Sequence, residues 1–75
     1  MPLKYNQIIK ILNDYWFILD RTNWSHSRYE KNGHGVTVWF HKEYPKKTAK
    51  SMLIDVSNIV WIDYKDLIGE YNIKL

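Results

Sequence analysis

The sequence contains no cysteine among its 75 residues. A disulfide therefore cannot cross-link the fold, a thiolate cannot ligate a metal, and nothing in the composition indicates an oxidising compartment. The sequence also lacks an apolar run that approaches the ~18 residues needed to cross a bilayer. Residues 1–6 contain no apolar segment of the kind found in secretory signals. We expect a soluble, cytoplasmic protein without a membrane partner.

Repeats, low-complexity tracts and linkers are absent as well, so we expect one domain over residues 1–75. That length is near the lower limit for a chain that must build its own core. Aromatic residues make up 16% of the chain and supply large apolar areas for burial. The net charge of +3 is compatible with a nucleic-acid partner, but only the positions of the charges can support one.

The N-terminal part of the chain is predicted to be a helix followed by a strand. Apolar side chains recur at helical spacing over residues 4–14, which predicts an amphipathic helix. Residues 16–19 then form a short apolar run of strand type. Alternation along that strand places Phe17, Leu19 and Arg21 on one face.

A hairpin is predicted next, with strands over residues 25–31 and 36–41. Residues 32–35 form a turn cluster whose glycines can adopt positive φ. Two sets of side chains alternate along the second strand: Val36, Val38 and Phe40 on one face, and Thr37, Trp39 and His41 on the other. The β-branched and Phe set is expected to face the core, which places His41 on the opposite, open face.

Two further helices are predicted after the loop that contains Pro45. Thr48 is a candidate N-cap, because its hydroxyl can accept a hydrogen bond from a free backbone N–H. An apolar stripe supports the helix that follows, which is expected to end near Asn58: Ala49, Met52, Leu53, Val56 and Ile59. A short third helix over residues 61–68, ending near Gly69, forms a C-terminal extension.

The predicted class is α+β, in the order helix, three strands, helix, with a three-stranded antiparallel sheet. Helices cover one face of such a sheet and leave the other in water. Alternation along the strand that contains His26 places Arg28 on the same open face, whereas Ser25, Ser27 and Tyr29 point the other way. A histidine beside a guanidinium can bind a phosphate and move a proton near it.

Lysines near the start of the second predicted helix extend this basic face. They are Lys46, Lys47 and Lys50, and helix N-termini attract phosphates through free N–H groups and the helix dipole. A solvated helix face is the alternative interpretation of the same cluster. If the lysines and the histidine lie together, the arrangement suits a nucleic-acid backbone.

These residues and their order resemble the HicA (YcfA-type) toxin family. The matching positions cover roughly residues 4–58: Phe17, Leu19, Arg21, Ser25, His26, Tyr29, Val36, Val38, His41, Lys46, Lys47, Thr48, Ser51 and Leu53. The resemblance implies a small ribonuclease with an α-β-β-β-α fold like that of double-stranded-RNA-binding domains. It also implies that the protein cleaves messenger RNA without a metal or other cofactor, and that a HicB-like antitoxin covers its active site.

The family motif is Gly-Ser-His, and its histidine is the catalytic residue, which corresponds to His26. The sequence departs from the family at three positions. Trp24 replaces the motif glycine, Trp16 stands where the family usually has glycine, and Trp39 stands where it often has proline. The Trp24 and Trp39 rings are candidates for stacking on bases or for contacting a partner protein, and core packing is the alternative for each.

Metal-independent RNA cleavage requires proton transfers that histidine performs well, because its unperturbed pKa is ~6.5. We therefore predict that His26 is the general acid or base and that Arg28 and the lysines bind phosphate. His41 is a candidate second proton carrier and Ser25 a candidate supporting residue. The histidines lack the His-x-x-x-His spacing of a zinc site, so no metal site is expected. The alternative function is a catalytically inactive RNA-binding or protein-interaction module of the same fold.

Overall fold

Three helices and two small antiparallel sheets make up the structure, a computed structural model that describes residues 3–75. The elements are β1 (Leu3–Lys4), α1 (Tyr5–Asp14), β2 (Ile18–Thr22), β3 (His26–Lys31), β4 (His34–Trp39), β5 (Glu43–Tyr44), α2 (Lys46–Val60) and α3 (Tyr64–Glu70). The larger sheet has the strand order β2-β3-β4, and β1 pairs with β5. The predicted α+β class and the order helix, three strands, helix are confirmed.

Helix α1 ends in a hydrogen-bonded turn that decides where β2 begins. The Phe17 N–H donates to the Leu12 carbonyl at 2.9 Å and the Trp16 N–H donates to the Asn13 carbonyl at 3.1 Å. These two bonds form the Schellman pattern, in which the residue that donates the shorter-range bond has a left-handed backbone. Trp16 occupies that position with φ of 62°. The predicted start of the strand at Trp16 is therefore wrong, and β2 starts at Ile18.

The β3–β4 hairpin has a shorter turn than predicted. Asn32 and Gly33 both have positive φ, 52° and 81°, as a two-residue type I′ turn requires. Because the turn is short, β4 starts at His34 and ends at Trp39. Val36 and Val38 are buried as predicted. Phe40, which follows the strand, is 42% exposed, so its predicted place in the core is wrong.

Strand β2 contains a bulge that was not predicted. Leu19 is paired with Tyr29, whereas Arg21 is paired with Arg28, so the register shifts around Asp20. An extra residue in one strand reverses the faces of the residues that follow it. Arg21 therefore shares a face with Arg28, and the prediction that it shares a face with Leu19 is wrong.

Helix α2 carries the predicted apolar stripe into the core, and its ends differ from the prediction. The N-cap position is Pro45, and the helix begins at Lys46, so Thr48 lies inside the first turn and is not the N-cap. The helix continues past Asn58 to Val60. The third helix is also shifted relative to the prediction, since it begins at Tyr64 and runs through Gly69.

One apolar cluster lies between the helices and the inner face of the larger sheet. Its fully or nearly fully buried members are Leu3, Ile8, Ile11, Leu12, Phe17, Val36, Val38, Tyr44, Ala49, Met52, Leu53, Val56, Leu67 and Ile73. The helices therefore cover one face of the sheet, as expected, and the outer face is left open. Within residues 3–75, no helix has the length and apolar character required to span a membrane.

Candidate active site

Alternation along β3 places His26 and Arg28 on the outer face of the sheet, as predicted. Ser27, between them, is buried and its hydroxyl lies 3.3 Å from that of Thr22. A groove runs across the outer face beside the two basic side chains. We call it the His26 groove, and it is lined by Arg21, Asn23, His26, Arg28, Glu30 and Thr37.

The imidazole of His26 is positioned by an aromatic contact. His26 and Trp39 are directly opposite each other in the β3–β4 register, and their ring centroids are 4.6 Å apart at an interplanar angle of 47°. Nδ1 of His26 is buried and accepts or donates no hydrogen bond within residues 3–75. Packing on Trp39 therefore orients the ring, and no hydrogen bond at Nδ1 contributes to its orientation.

The loop before His26 is held by backbone hydrogen bonds. The Asn23 N–H donates to the His26 carbonyl at 2.8 Å, and the Phe40 N–H donates to the Ser25 carbonyl at 2.9 Å. Trp24 lies at the tip of this loop with its side chain fully exposed. In residues 3–75 the non-glycine residues with positive φ are Trp16, Asn32, Trp61 and Asn72. Trp24 therefore replaces the motif glycine without adopting a left-handed backbone.

Arg28 forms an ion pair within the groove. Its Nε donates to Oε2 of Glu30 at 3.2 Å, and both side chains are partly exposed. The guanidinium also lies over Gly35 on β4, where a Cβ would overlap it. Because Gly35 has no side chain, the Arg28 guanidinium can occupy this space. A phosphate that binds Arg28 must compete with the Glu30 carboxylate.

Arg21 lines the same groove, although it was not among the predicted site residues. The bulge at Asp20 turns it to the outer face, opposite Arg28 in the β2–β3 register. Its Nε donates to Oδ2 of Asp20 at 2.9 Å, and this hydrogen bond, followed by the charge of Asp20, raises the pKa of Arg21. The family pattern contains this arginine, but alternation along the strand assigned it to the wrong face.

The lysines predicted to bind phosphate lie at the start of α2, and their side chains are exposed. Lys47 lines a second groove, between β4 and α2, which we call the α2 groove. Thr37 lines both grooves, and Trp39 contacts His26 and also lines the α2 groove. Only Lys47 is thus connected to the His26 groove through shared residues. Lys46 and Lys50 line neither groove.

A protein-family model described as the HicA toxin of bacterial toxin–antitoxin systems matches residues 5–57. The match covers more than half of the chain. This chain belongs to the HicA toxin family. Membership makes it the toxin of a toxin–antitoxin pair, a class whose members are generally ribonucleases. No curated protein and no solved structure matches the chain in the corresponding searches.

The structure does not bring the second predicted histidine of this HicA toxin to the first. His41 lies beyond the end of β4, and its ring is nearly perpendicular to that of Tyr44, with the centroids 6.1 Å apart. It lines a separate hollow at the start of α1. The prediction that His41 shares the open strand face of Thr37 and Trp39 is wrong, because the strand ends before it.

The remaining predicted residue is Ser25, and its exposed side chain lies in the loop next to His26. The contact that the structure assigns to Ser25 is made by its backbone carbonyl, which binds the Phe40 N–H. Within residues 3–75, no three or more His, Asp or Glu side chains are grouped so that they could hold a metal ion.

Proposed function

We propose that this HicA toxin is a metal-independent endoribonuclease that cleaves messenger RNA in the cytoplasm, with His26 as general acid or base. One observation carries the proposal. The His26 imidazole lies on the open face of the sheet in a groove that also contains the guanidinium groups of Arg21 and Arg28. A proton carrier and two cations in one open groove suit a reaction at a phosphodiester.

The proposed reaction is attack of a ribose 2′-oxygen on the adjacent phosphorus, with departure of the 5′-oxygen. The attacking hydroxyl must lose a proton, the leaving oxygen must gain one, and the phosphorane carries additional negative charge. His26 performs one proton transfer, and the two arginines stabilise the charge on the phosphorane. The other acid–base group in the groove, Glu30, is paired with Arg28. We therefore assign the second proton transfer to water.

We also propose that the cognate antitoxin is a HicB-like protein that covers the His26 groove. Trp24 is fully exposed at the tip of the loop beside His26, and Trp39 is 42% exposed next to the imidazole. Exposed tryptophans are frequent anchors of protein interfaces. A partner that buries both rings would block access to His26.

A catalytically inactive RNA-binding or protein-interaction module is the second candidate. The Arg28–Glu30 ion pair favours it, because the pair reduces the charge available to an RNA phosphate. Trp24 at the position of the motif glycine is the sequence departure that favours the same alternative. This candidate differs from the first in one measurable property, cleavage that depends on His26.

Replacement of His26 tests the proposal. We expect His26→Ala to reduce the rate of RNA cleavage by about 100-fold or more and to abolish growth arrest on expression, with a chelator present in the cleavage assay. His34→Ala is the matched control, because His34 is exposed at the far end of the same hairpin. The catalytic role is wrong if the folded His26→Ala protein cleaves RNA at the parent rate.

A further inference from the structure

A hollow at the start of α1 lies outside the groove already described. It has a volume of about 590 Å³, within the usual range of ligand sites. We call it the Phe40 hollow, and it is lined by Lys4, Tyr5, Asn6, Phe40, His41 and Lys42. The proposed cleavage reaction uses none of these residues.

The hollow contains an aromatic pair held by backbone hydrogen bonds. The rings of Tyr5 and Phe40 are 5.9 Å apart between centroids and inclined by 58°. The Tyr5 N–H donates to the Lys42 carbonyl at 3.2 Å, and the Phe40 N–H donates to the Ser25 carbonyl at 2.9 Å. Phe40 is 42% exposed despite its apolar ring. It therefore presents a positioned aromatic surface to solvent.

The charged residues that line the hollow in the described part of the chain are basic. Lys4 and Lys42 line the hollow together with His41, and none of the six lining residues found within residues 3–75 is acidic. The adjacent acidic residue is Glu43, the cross-strand neighbour of Lys4 in the β1–β5 pair. Aromatic side chains among cations are the combination that binds single-stranded nucleic acid, because bases stack on the rings and phosphates pair with the cations.

The hollow and the His26 groove share no lining residue, but they are linked through residues that are neighbours along the chain and across the strand ends. Trp39 contacts the His26 ring, and Phe40 is the next residue. On the facing segment, Ser25 precedes His26 and its carbonyl accepts the Phe40 N–H. Phe40, which lines the hollow, is therefore one residue along the chain from the Trp39 ring that contacts the imidazole.

We propose that the Phe40 hollow is a base-binding subsite for a nucleotide of single-stranded RNA next to the phosphate held at His26. The base stacks on Phe40, and Lys42 and Lys4 contact the flanking phosphates. His41 then belongs to RNA binding and not to proton transfer. This inference rests on the proposed ribonuclease function, and it identifies the substrate as single-stranded on that side of the scissile bond.

Binding of short single-stranded 2′-O-methyl RNA tests the stacking contact, because that probe lacks the attacking hydroxyl and is not cleaved. We expect Phe40→Leu, which keeps apolar packing on Tyr5, to bind about 5- to 50-fold more weakly by fluorescence anisotropy. Phe40→Tyr retains the ring and should retain parent affinity. Ile18→Ala is the matched control, since Ile18 is an exposed apolar residue elsewhere on the sheet. Thermal unfolding of each variant confirms that it is folded.

A salt titration tests the phosphate contacts with the same probe. Lys42→Gln should lower the slope of log affinity against log salt by about 1, whereas Lys65→Gln, an exposed lysine on α3, should leave it unchanged. Parent affinity in the folded Phe40→Leu protein would overturn the subsite. If cleavage in that case still depends on His26, the proposed function stands. If Phe40→Leu weakens antitoxin binding and leaves RNA affinity intact, the hollow is a protein-docking site and the inference is wrong.

Discussion

At the scale of single residues, the tryptophans are the side chains with the least expected positions. Trp16, Trp24 and Trp61 have exposures of 79%, 101% and 93%. Trp16 and Trp61 also have left-handed backbones, with φ of 62° and 63°, at the ends of α1 and α2. That conformation is unfavourable for L-residues and costs about 1–2 kcal/mol. Lys31 partly offsets the cost at Trp16, since its Nζ lies 5.5 Å from the ring centroid.

Trp16→Gly is expected to stabilise this toxin. Glycine adopts the left-handed conformation without a Cβ clash, and its greater freedom in the unfolded chain offsets only part of the gain. We expect the free energy of unfolding to rise by about 0.5–1 kcal/mol, measured by urea denaturation. Trp24→Gly is the matched control, because Trp24 is also largely exposed but has no positive φ. An equal change in both variants would contradict the strain at Trp16.

At the scale of elements, α3 is attached to α1 by two tyrosine–carboxylate hydrogen bonds. The Tyr15 hydroxyl donates to Oε1 of Glu70 at 2.6 Å, and the Tyr71 hydroxyl donates to Oδ2 of Asp14 at 2.9 Å. The bond to Glu70 is the main reason that the pKa of Tyr15 is raised to about 12. Burial, and then the bond to Asp14, raise the pKa of Tyr71. The Tyr71 hydroxyl in turn lowers the pKa of Asp14.

These shifts determine how stability depends on pH. A tyrosine whose folded-state pKa exceeds its unfolded value of ~10 contributes stability below that pH and loses the contribution as pH rises towards the folded value. The lowered pKa of Asp14 acts in the opposite sense, since its contribution is present at neutral pH and is lost on acidification. The two helices are therefore joined most firmly between the acidic and alkaline transitions.

Tyr15→Phe tests this attachment. We expect it to lower the free energy of unfolding by about 0.5–1 kcal/mol at neutral pH and to show a smaller further loss than the parent between about pH 9 and pH 12. Urea denaturation at a series of pH values measures both effects. Tyr64→Phe, on α3 but outside both pairs, should keep the alkaline loss of the parent. An identical alkaline loss in Tyr15→Phe and the parent would contradict the role of Tyr15.

At the scale of the whole molecule, the segment beyond the family match completes the core. The family model ends at residue 57, but Leu67 and Ile73 are buried in the same apolar cluster as the residues of α1 and α2. A backbone hydrogen bond holds the C-terminal residues against α3, since the Ile73 N–H donates to the Ile68 carbonyl at 2.9 Å. A domain of this size has little stability to lose. We therefore propose that residues 1–75 fold as a single cooperative unit.

Leu67→Ala is expected to lower the free energy of unfolding by about 3 kcal/mol, through lost burial and the cavity that remains. A chain that ends at residue 60 should be unfolded at 25 °C by circular dichroism. Lys65→Ala is the matched control, because Lys65 is exposed on the same helix. If the shortened chain unfolds with the stability of the parent, the segment is an appendage and not part of the core.

Much of the fold could be predicted because periodic burial is a local property of the chain. Helical spacing predicted α1 and the core stripe of α2, and alternation placed His26 and Arg28 on the open face. The element ends were less predictable. Helix α1 ends at a turn in which Trp16 has a left-handed backbone. The two-residue turn makes β4 start and end earlier than predicted, so Phe40 and His41 lie outside the strand. Neither turn follows from apolar periodicity.

Residue types at short spacing were sufficient to predict the α+β class, the family and the strand face of His26. The other groups near that histidine were found only in the folded protein. The bulge at Asp20 places Arg21 in the groove. Because β4 ends at Trp39, His41 lies in the Phe40 hollow and not on the open face of the sheet. The physical reason is that the register between strands and the place where pairing stops depend on contacts between distant segments. A single strand's pattern does not encode those contacts.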